Sequence, residues 1–173
     1  MRVLFVGDVV GRPGRELLAR CLPELRRREG PFDFVLANGE NAAAGFGLTE
    51  KVMGDLFALG VDCLTGGNHI WDKKEFLPVL DGECRVLRPA NYPPGCPGHG
   101  VAHLRNGSAR LAVVNLQGRT FMPPVDCPFR AADAVLEGLE EQAVLVDFHA
   151  EATSEKWALF RYLDGRGSAV LGT

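Results

Sequence analysis

The sequence has no apolar run long enough to cross a membrane, and Val3–Val6 is too short for the core of a signal peptide. It has no Cys-x-x-Cys pair. Its five cysteines, Cys21, Cys63, Cys84, Cys96 and Cys127, are odd in number and scattered. That argues against a zinc–thiolate site and leaves reduced thiols, mostly packing, in a cytoplasmic protein. Positive charge is not in excess: 19 Lys and Arg stand against 22 Asp and Glu, a net charge of −3. A general nucleic-acid binder, whose affinity rests on neutralising phosphates, is therefore not expected. Small phosphorylated substrates remain open, because a metal site supplies positive charge locally. The glycine-rich start Gly7–Gly14 has neither the Gly-x-Gly-x-x-Gly spacing nor a Gly-Lys-Ser/Thr, and no Gly-x-Ser-x-Gly elbow occurs. Repeats, low-complexity tracts and linkers are absent too.

What is there is an ordinary globular composition in 173 residues, 46% hydrophobic and 24% charged, enough for one cored domain over 1–173. Strand-like and helix-like segments alternate. Strands are expected at Arg2–Gly7, Phe32–Ala37, Val61–Thr65, Val86–Asn91, Gly100–Leu104, Ala109–Asn115, Ala143–Phe148 and Ser168–Leu171. Helices are expected at Pro13–Arg28, Thr49–Leu59 (capped by Thr49), from Asp72 as a cap to about Leu80, Phe129–Glu141 and Ser154–Leu163. Repeated βα units predict an α/β fold with a mostly parallel central sheet, mixed where the middle strands join it.

In such sheets ligands bind beyond the carboxyl ends of the strands. Four strand ends carry polar groups: Gly7-Asp8, Asn38-Gly39-Glu40-Asn41, Gly66-Gly67-Asn68-His69 and Asp147-Phe148-His149. Carboxylates, amide oxygens and imidazole suit manganese, iron or zinc, and Glu40 has two oxygens with which to bridge a metal pair. Glycines 39, 66 and 67 allow sharp turns and close approach of a substrate. Singly, each residue has another reading. Asp8 caps the next helix or satisfies turn amides, Glu40 sits in a solvated turn, His149 is a hydrogen-bonded core histidine. For the site to be illusory, these readings must all hold together. His99 and His103 read as loop or surface residues.

Seven ordered motifs carry a resemblance: Gly-Asp-Val-Val-Gly at 7–11, Asn-Gly-Glu-Asn-Ala at 38–42, Gly-Asn-His at 67–69, Trp-Asp-Lys-Lys-Glu at 71–75, Arg-Pro-Ala-Asn at 88–91, Asn-Leu-Gln-Gly-Arg at 115–119 and Asp-Phe-His-Ala-Glu-Ala-Thr-Ser-Glu at 147–155. Together they resemble the YmdB-type branch of the calcineurin-like metallophosphoesterases. The resemblance implies a four-layer α/β sandwich with mixed sheets and a centre of two divalent metal ions, iron or manganese. It implies Asp8 and Asn41 on one metal, Glu40 bridging, Asn68 and His149 on the second, and His69 as proton donor rather than ligand. The activity implied is hydrolysis of phosphodiesters, 2′,3′-cyclic nucleotides such as cyclic AMP among them, with links in bacteria to RNA turnover. The family continues past the matching Gly-Thr with histidines that complete both metal shells, whereas this sequence ends at Gly172-Thr173. C-terminal segments of the family are thus expected to be missing, leaving a sheet edge that invites pairing into a homo-oligomer.

The expected mechanism has a metal-bridging hydroxide attacking phosphorus in line while His69 protonates the leaving alkoxide. Arg119 is the candidate for a forked phosphate contact, with a plain surface arginine as the competing reading. The rival function is a non-catalytic regulatory or binding protein that keeps the fold with an incomplete metal site. A nucleotide-binding domain without metal is a third reading, and it needs the carboxylates to be turn caps.

Overall fold

Alternation along the strands decides the architecture. The structure, a computed structural model, describes residues 1–173. Along Phe34–Asn38 (β2), Val35 and Ala37 pack in one hydrophobic cluster and Phe34 and Leu36 in another. Along Ala109–Gln117 (β5), Ala112, Val114 and Leu116 separate in the same way from Leu111 and Val113. Period-two strands that are apolar on both faces must be covered on both.

The coverage comes from two sheets placed face to face with helices outside. Val3–Val6 (β1), β2 and Cys63–Thr65 (β3) form a parallel sheet in the order β1-β2-β3. Helices Gly11–Glu29 (α1), Glu50–Ala58 (α2) and Leu77–Gly82 (α3) contribute Leu18, Leu22, Val52, Leu56 and Leu80 to the cluster on its outer face. Val101–Asn106 (β4), β5, Ala143–His149 (β6) and Ala169–Gly172 (β7) form the second sheet in that order. There β4 is antiparallel to β5 and the other pairs are parallel. Helices Pro128–Leu136 (α4) and Thr153–Tyr162 (α5) cover its outer face through Ala132 and Leu159. Phe34, Leu36, Cys63, Leu111, Val113 and Leu145 fill the space between the sheets. The layers run helix, sheet, sheet, helix. The single central sheet read from βα alternation is therefore two sheets, and strand mixing is confined to the second.

Other expectations need correction. Val86 and Leu87 make only isolated bridges, to Leu64 and His99, because Pro89 cannot donate to a ladder. The helix expected to reach Glu141 stops at Leu136, just ahead of Gly138. Of the cysteines only Cys63 is buried, and Cys21 and Cys84 are exposed. His103 is a surface residue as expected, exposed on β4 with Nδ1 2.6 Å from Glu141 Oε1. Thr49 caps α2 as expected, accepting the Val52 N–H at 3.3 Å.

The turn entering Val86 is clipped by Glu83, which accepts two guanidinium bonds from Arg85 (2.9 and 2.8 Å) and its main-chain N–H (3.1 Å). The side-chain bond from Arg85 is the main reason the Glu83 pKa is lowered. A carboxylate held below its unfolded pKa stabilises the fold above the usual Glu range, and that contribution is lost as pH falls through the lowered value. Arg85 is nearly half exposed, so the contribution is below about 1 kcal/mol. Glu83→Gln is expected to lower the urea midpoint slightly at pH 7 and not at pH 2. An equal deficit at both pH values would contradict this.

Candidate metal and phosphate site

The same alternation that builds the inter-sheet core places the polar residues. Phe34 and Leu36 face the opposite sheet, so Asn38 does too; Cys63 is followed by Thr65, Val113 by Asn115, and Leu145 by Asp147 and His149. The inter-sheet face thus turns from apolar to polar towards the carboxyl ends of the strands. Asn38, Thr65, Asn115 and Asp147 are fully buried there.

These four join the sheets. Asp147 Oδ2 accepts from Thr65 Oγ1 and from Asn38 Nδ2, the latter at 3.4 Å, and Oδ1 accepts from Thr173 Oγ1 at 2.9 Å. Asn115 takes the Gly66 N–H at 2.9 Å and gives its own amide to the Asp147 carbonyl at 3.3 Å. Burial raises the Asp147 pKa, and the hydrogen bonds from Thr65, Thr173 and Asn38 oppose it. Sequence reading did not assign this network, because contacts across the sheets leave no local pattern.

Directly beyond it lie most of the residues named from the strand ends. Glu40, 1% exposed, is the centre. Its Oε1 lies 2.9 Å from His149 Nε2, and its Oε2 accepts the His69 main-chain N–H at 3.0 Å. His149 Nε2 is also 3.2 Å from Asn68 Oδ1, and its Nδ1 is 3.2 Å from Thr173 Oγ1. Asn41 Nδ2 donates to Asp8 Oδ2 at 2.9 Å and reaches Glu40 Oε1 at 3.5 Å. Asp8, Glu40, Asn41, Asn68 and His149 are therefore linked through a chain of contacts at the ends of β1, β2, β3 and β6.

Two of the alternative readings fail here. Asp8 is not a helix cap, since α1 begins after Val10 with no side-chain cap. Glu40 is not in a solvated turn. Asp8 stands exposed at the rim, yet lost hydration raises its pKa, with the Asn41 hydrogen bond opposing and Glu40 adding to the rise. For His149, burial lowers the pKa but is outweighed by the hydrogen bond and charge of Glu40, then by Asp147 and Asp8, so it ends raised.

His69 sits beside the cluster. Its Nδ1 is 2.7 Å from Asp72 Oδ2. A carboxylate only accepts here, so the proton belongs on Nδ1 in the neutral ring, and Nε2 is left as the nitrogen with no protein partner. Asp72 is thus not the helix cap expected of it; a short 3-10 turn at Lys74–Phe76 precedes α3, and neither has a side-chain cap. Its spacing of three from His69 was the available signal. Arg119 is not brought to the cluster. Its main-chain N–H donates to Glu155 at 2.9 and 3.1 Å, and it lines a separate open cavity with Thr120, Met122 and Phe129.

Two observations bear on whether a cation fits. Asn41 Oδ1 is buried with no hydrogen-bond donor, an acceptor free for a cation. Gly67 has no side chain where a Cβ would run into the His149 ring and the Glu40 carboxylate. Oxygen donors with one imidazole suit a hard or borderline divalent ion. No three His, Cys, Asp or Glu side chains converge as a ready-made cluster; the amide oxygens of Asn41 and Asn68 make up the donor set.

The fold is a four-layer α/β sandwich of the metallophosphoesterase type. The chain belongs to the YmdB-like protein family, whose model matches residues 4–173. It is 50% identical over 175 residues to the 2′,3′-cyclic-nucleotide 2′-phosphodiesterase of Bacillus subtilis (strain 168), covering 100% of this chain and 66% of that protein. Its structure matches that of a hypothetical protein from Thermus thermophilus with a TM-score of 0.94 at 53% identity, over 100% of this chain and 67% of that one. It also matches a novel phosphatase from Mycoplasma pneumoniae with a TM-score of 0.92 at 32% identity, over 99% and 63%. The chain spans about two thirds of the length of the curated relatives it matches. No helix is long and apolar enough to cross a membrane.

Proposed function

We propose that the chain carries the metal-holding and proton-donating part of a phosphodiesterase that hydrolyses 2′,3′-cyclic nucleotides, cyclic AMP among them, in the cytoplasm. The observation that carries this reading is the Glu40–His149 contact across the two sheets, with Asn41, Asn68 and Asp8 around it. The activity of the Bacillus subtilis relative, a 2′,3′-cyclic-nucleotide 2′-phosphodiesterase, supports it.

In this reading Asp8 and Asn41 would hold one divalent ion and Asn68 and His149 another, with Glu40 serving both; iron or manganese would suit the donors. Such ions supply positive charge to phosphoryl oxygens and acidify water. The chain's own residues do the rest. The His69 N–H and the Asp147 network fix the Glu40 and His149 donors before any ligand arrives. Asp72 holds the His69 ring by Nδ1. When water adds to phosphorus and one P–O ester bond breaks, the doubly protonated His69 ring, its Nδ1–H held by Asp72, gives its Nε2 proton to the departing sugar oxygen; the neutral ring left behind keeps its proton on Nδ1, and the proton of the attacking water passes to solvent.

The alternative is a regulatory or binding protein with the same fold. It is favoured by the carboxylate and imidazole bonding each other rather than converging with a third such group. Elemental analysis of the purified chain, together with turnover of 2′,3′-cyclic AMP, separates the two. Bound metal is expected, with turnover stopped by a chelator and restored by manganese or iron. Turnover indifferent to the chelator would overturn the metal reading, and metal without turnover would favour the binding protein.

A further inference from the structure

Phe46 is 58% exposed, although its neighbours Ala42, Ala43 and Leu48 are buried. A single exposed apolar side chain needs no explanation, but this one is placed. Its ring meets the His69 imidazole edge to face, with centroids 5.4 Å apart. The loop that presents it is locked. Asn41 O accepts the N–H groups of Gly11 (2.9 Å) and Gly45 (3.2 Å), and Gly47 O accepts that of Ala43 (3.0 Å). Ala44 holds φ +61°, a conformation unfavourable for any residue with a Cβ. Gly47 packs so tightly on the His69–Lys73 segment that a Cβ there would lie 2.9 Å from Lys73 Cγ and 3.3 Å from His69 O. Strain and close packing at a functional site fix the ring against the proton donor.

The other aromatic groups nearby have structural duties. Trp71 and Tyr92 pack against each other, centroids 4.4 Å apart and planes inclined by 56°, and their polar atoms bond to Pro97 O and Gln117 Oε1. Phe46 has no such duty. We propose that Phe46 is the platform on which the nucleobase of the substrate stacks, placing the sugar oxygen released from phosphorus beside His69. This rests on the reading of the site as one for cyclic nucleotides. Every base has a π-face, so such a platform selects nucleotides over base-free phosphodiesters without choosing strongly among bases.

The test is calorimetric titration of the full chain, with and without manganese, using adenosine 3′-monophosphate, ribose 5-phosphate and inorganic phosphate. The wild-type chain is expected to bind the nucleotide roughly tenfold more tightly than ribose phosphate, in line with the stacking of one base. Phe46→Ala is expected to bring that ratio close to one, and Phe46→Trp to restore it. A ratio near one in the wild type, or a ratio unchanged in Phe46→Ala, overturns the platform while phosphate binding upholds the site. Failure of all three probes to bind, phosphate included, overturns the phosphate reading of the site and the platform with it.

Discussion

Gly67→Ala is expected to destroy the site while leaving both sheets folded. The added methyl would overlap the His149 ring and the Glu40 carboxylate. Neither can retreat. Glu40 is buried and held by the His69 N–H, and His149 is held through Nδ1 by Thr173. Overpacking of this kind costs about 1–3 kcal/mol of stability. The larger effect falls on ligand binding. Disturbing outer-shell partners of a metal site already costs roughly 10–100-fold in affinity, and here two of the proposed donors are displaced, so manganese affinity is expected to drop beyond that range. Calorimetry with manganese and a urea melt measure the two effects separately. An alanine variant that binds manganese like the wild type would show that Glu40 and His149 are not joint donors.

His69→Ala is expected to do the opposite, keeping metal and losing turnover. The side chain bonds Asp72 and touches Phe46, while the bond that holds Glu40 comes from the main-chain N–H, which alanine retains. Loss of a positioned proton donor lowers turnover by roughly 10²–10⁴-fold. Asp72→Asn is expected to fall between the variant and the wild type, because the ring remains but its Nδ1 partner is weakened. Metal content by elemental analysis and turnover of 2′,3′-cyclic AMP are the readouts. Unchanged turnover in His69→Ala would remove it from the proton-donor role, and lost metal would make it a ligand instead.

How far these residues were legible follows from the range of the interactions that place them. The βα alternation is written in local periodicity, and the helices and strands fall close to where it puts them. The polar strand ends were legible because topology alone sends Asp8, Glu40, Asn68 and His149 to one edge. The division into two sheets was not legible from periodicity. Val35 and Leu36 are equally apolar, and nothing local says that one meets helices and the other a sheet. Asp147 was legible as a polar strand end, but its bonding was hidden for a similar reason. Its partners Thr65 and Asn38 lie on the other sheet, far away in sequence. Asp72 was misplaced because an acidic residue ahead of a helix fits a cap as well as it fits an imidazole three residues earlier.

The straddling of the two sheets by Glu40 and His149 bears on how the molecule assembles. The first sheet is built from consecutive βα units, and β4 to β7 likewise follow one another in the chain. Each half has mostly short-range pairings and lower loop-closure cost, whereas the Glu40–His149 contact forms only once the halves dock. A ligand gripped by both residues therefore binds the docked state and not the separated halves. At a hundredfold excess over its Kd it would favour docking by about 2.7 kcal/mol. Ligand occupancy would then report on completed folding, and a chain starved of its ligand would open first along the seam between its sheets.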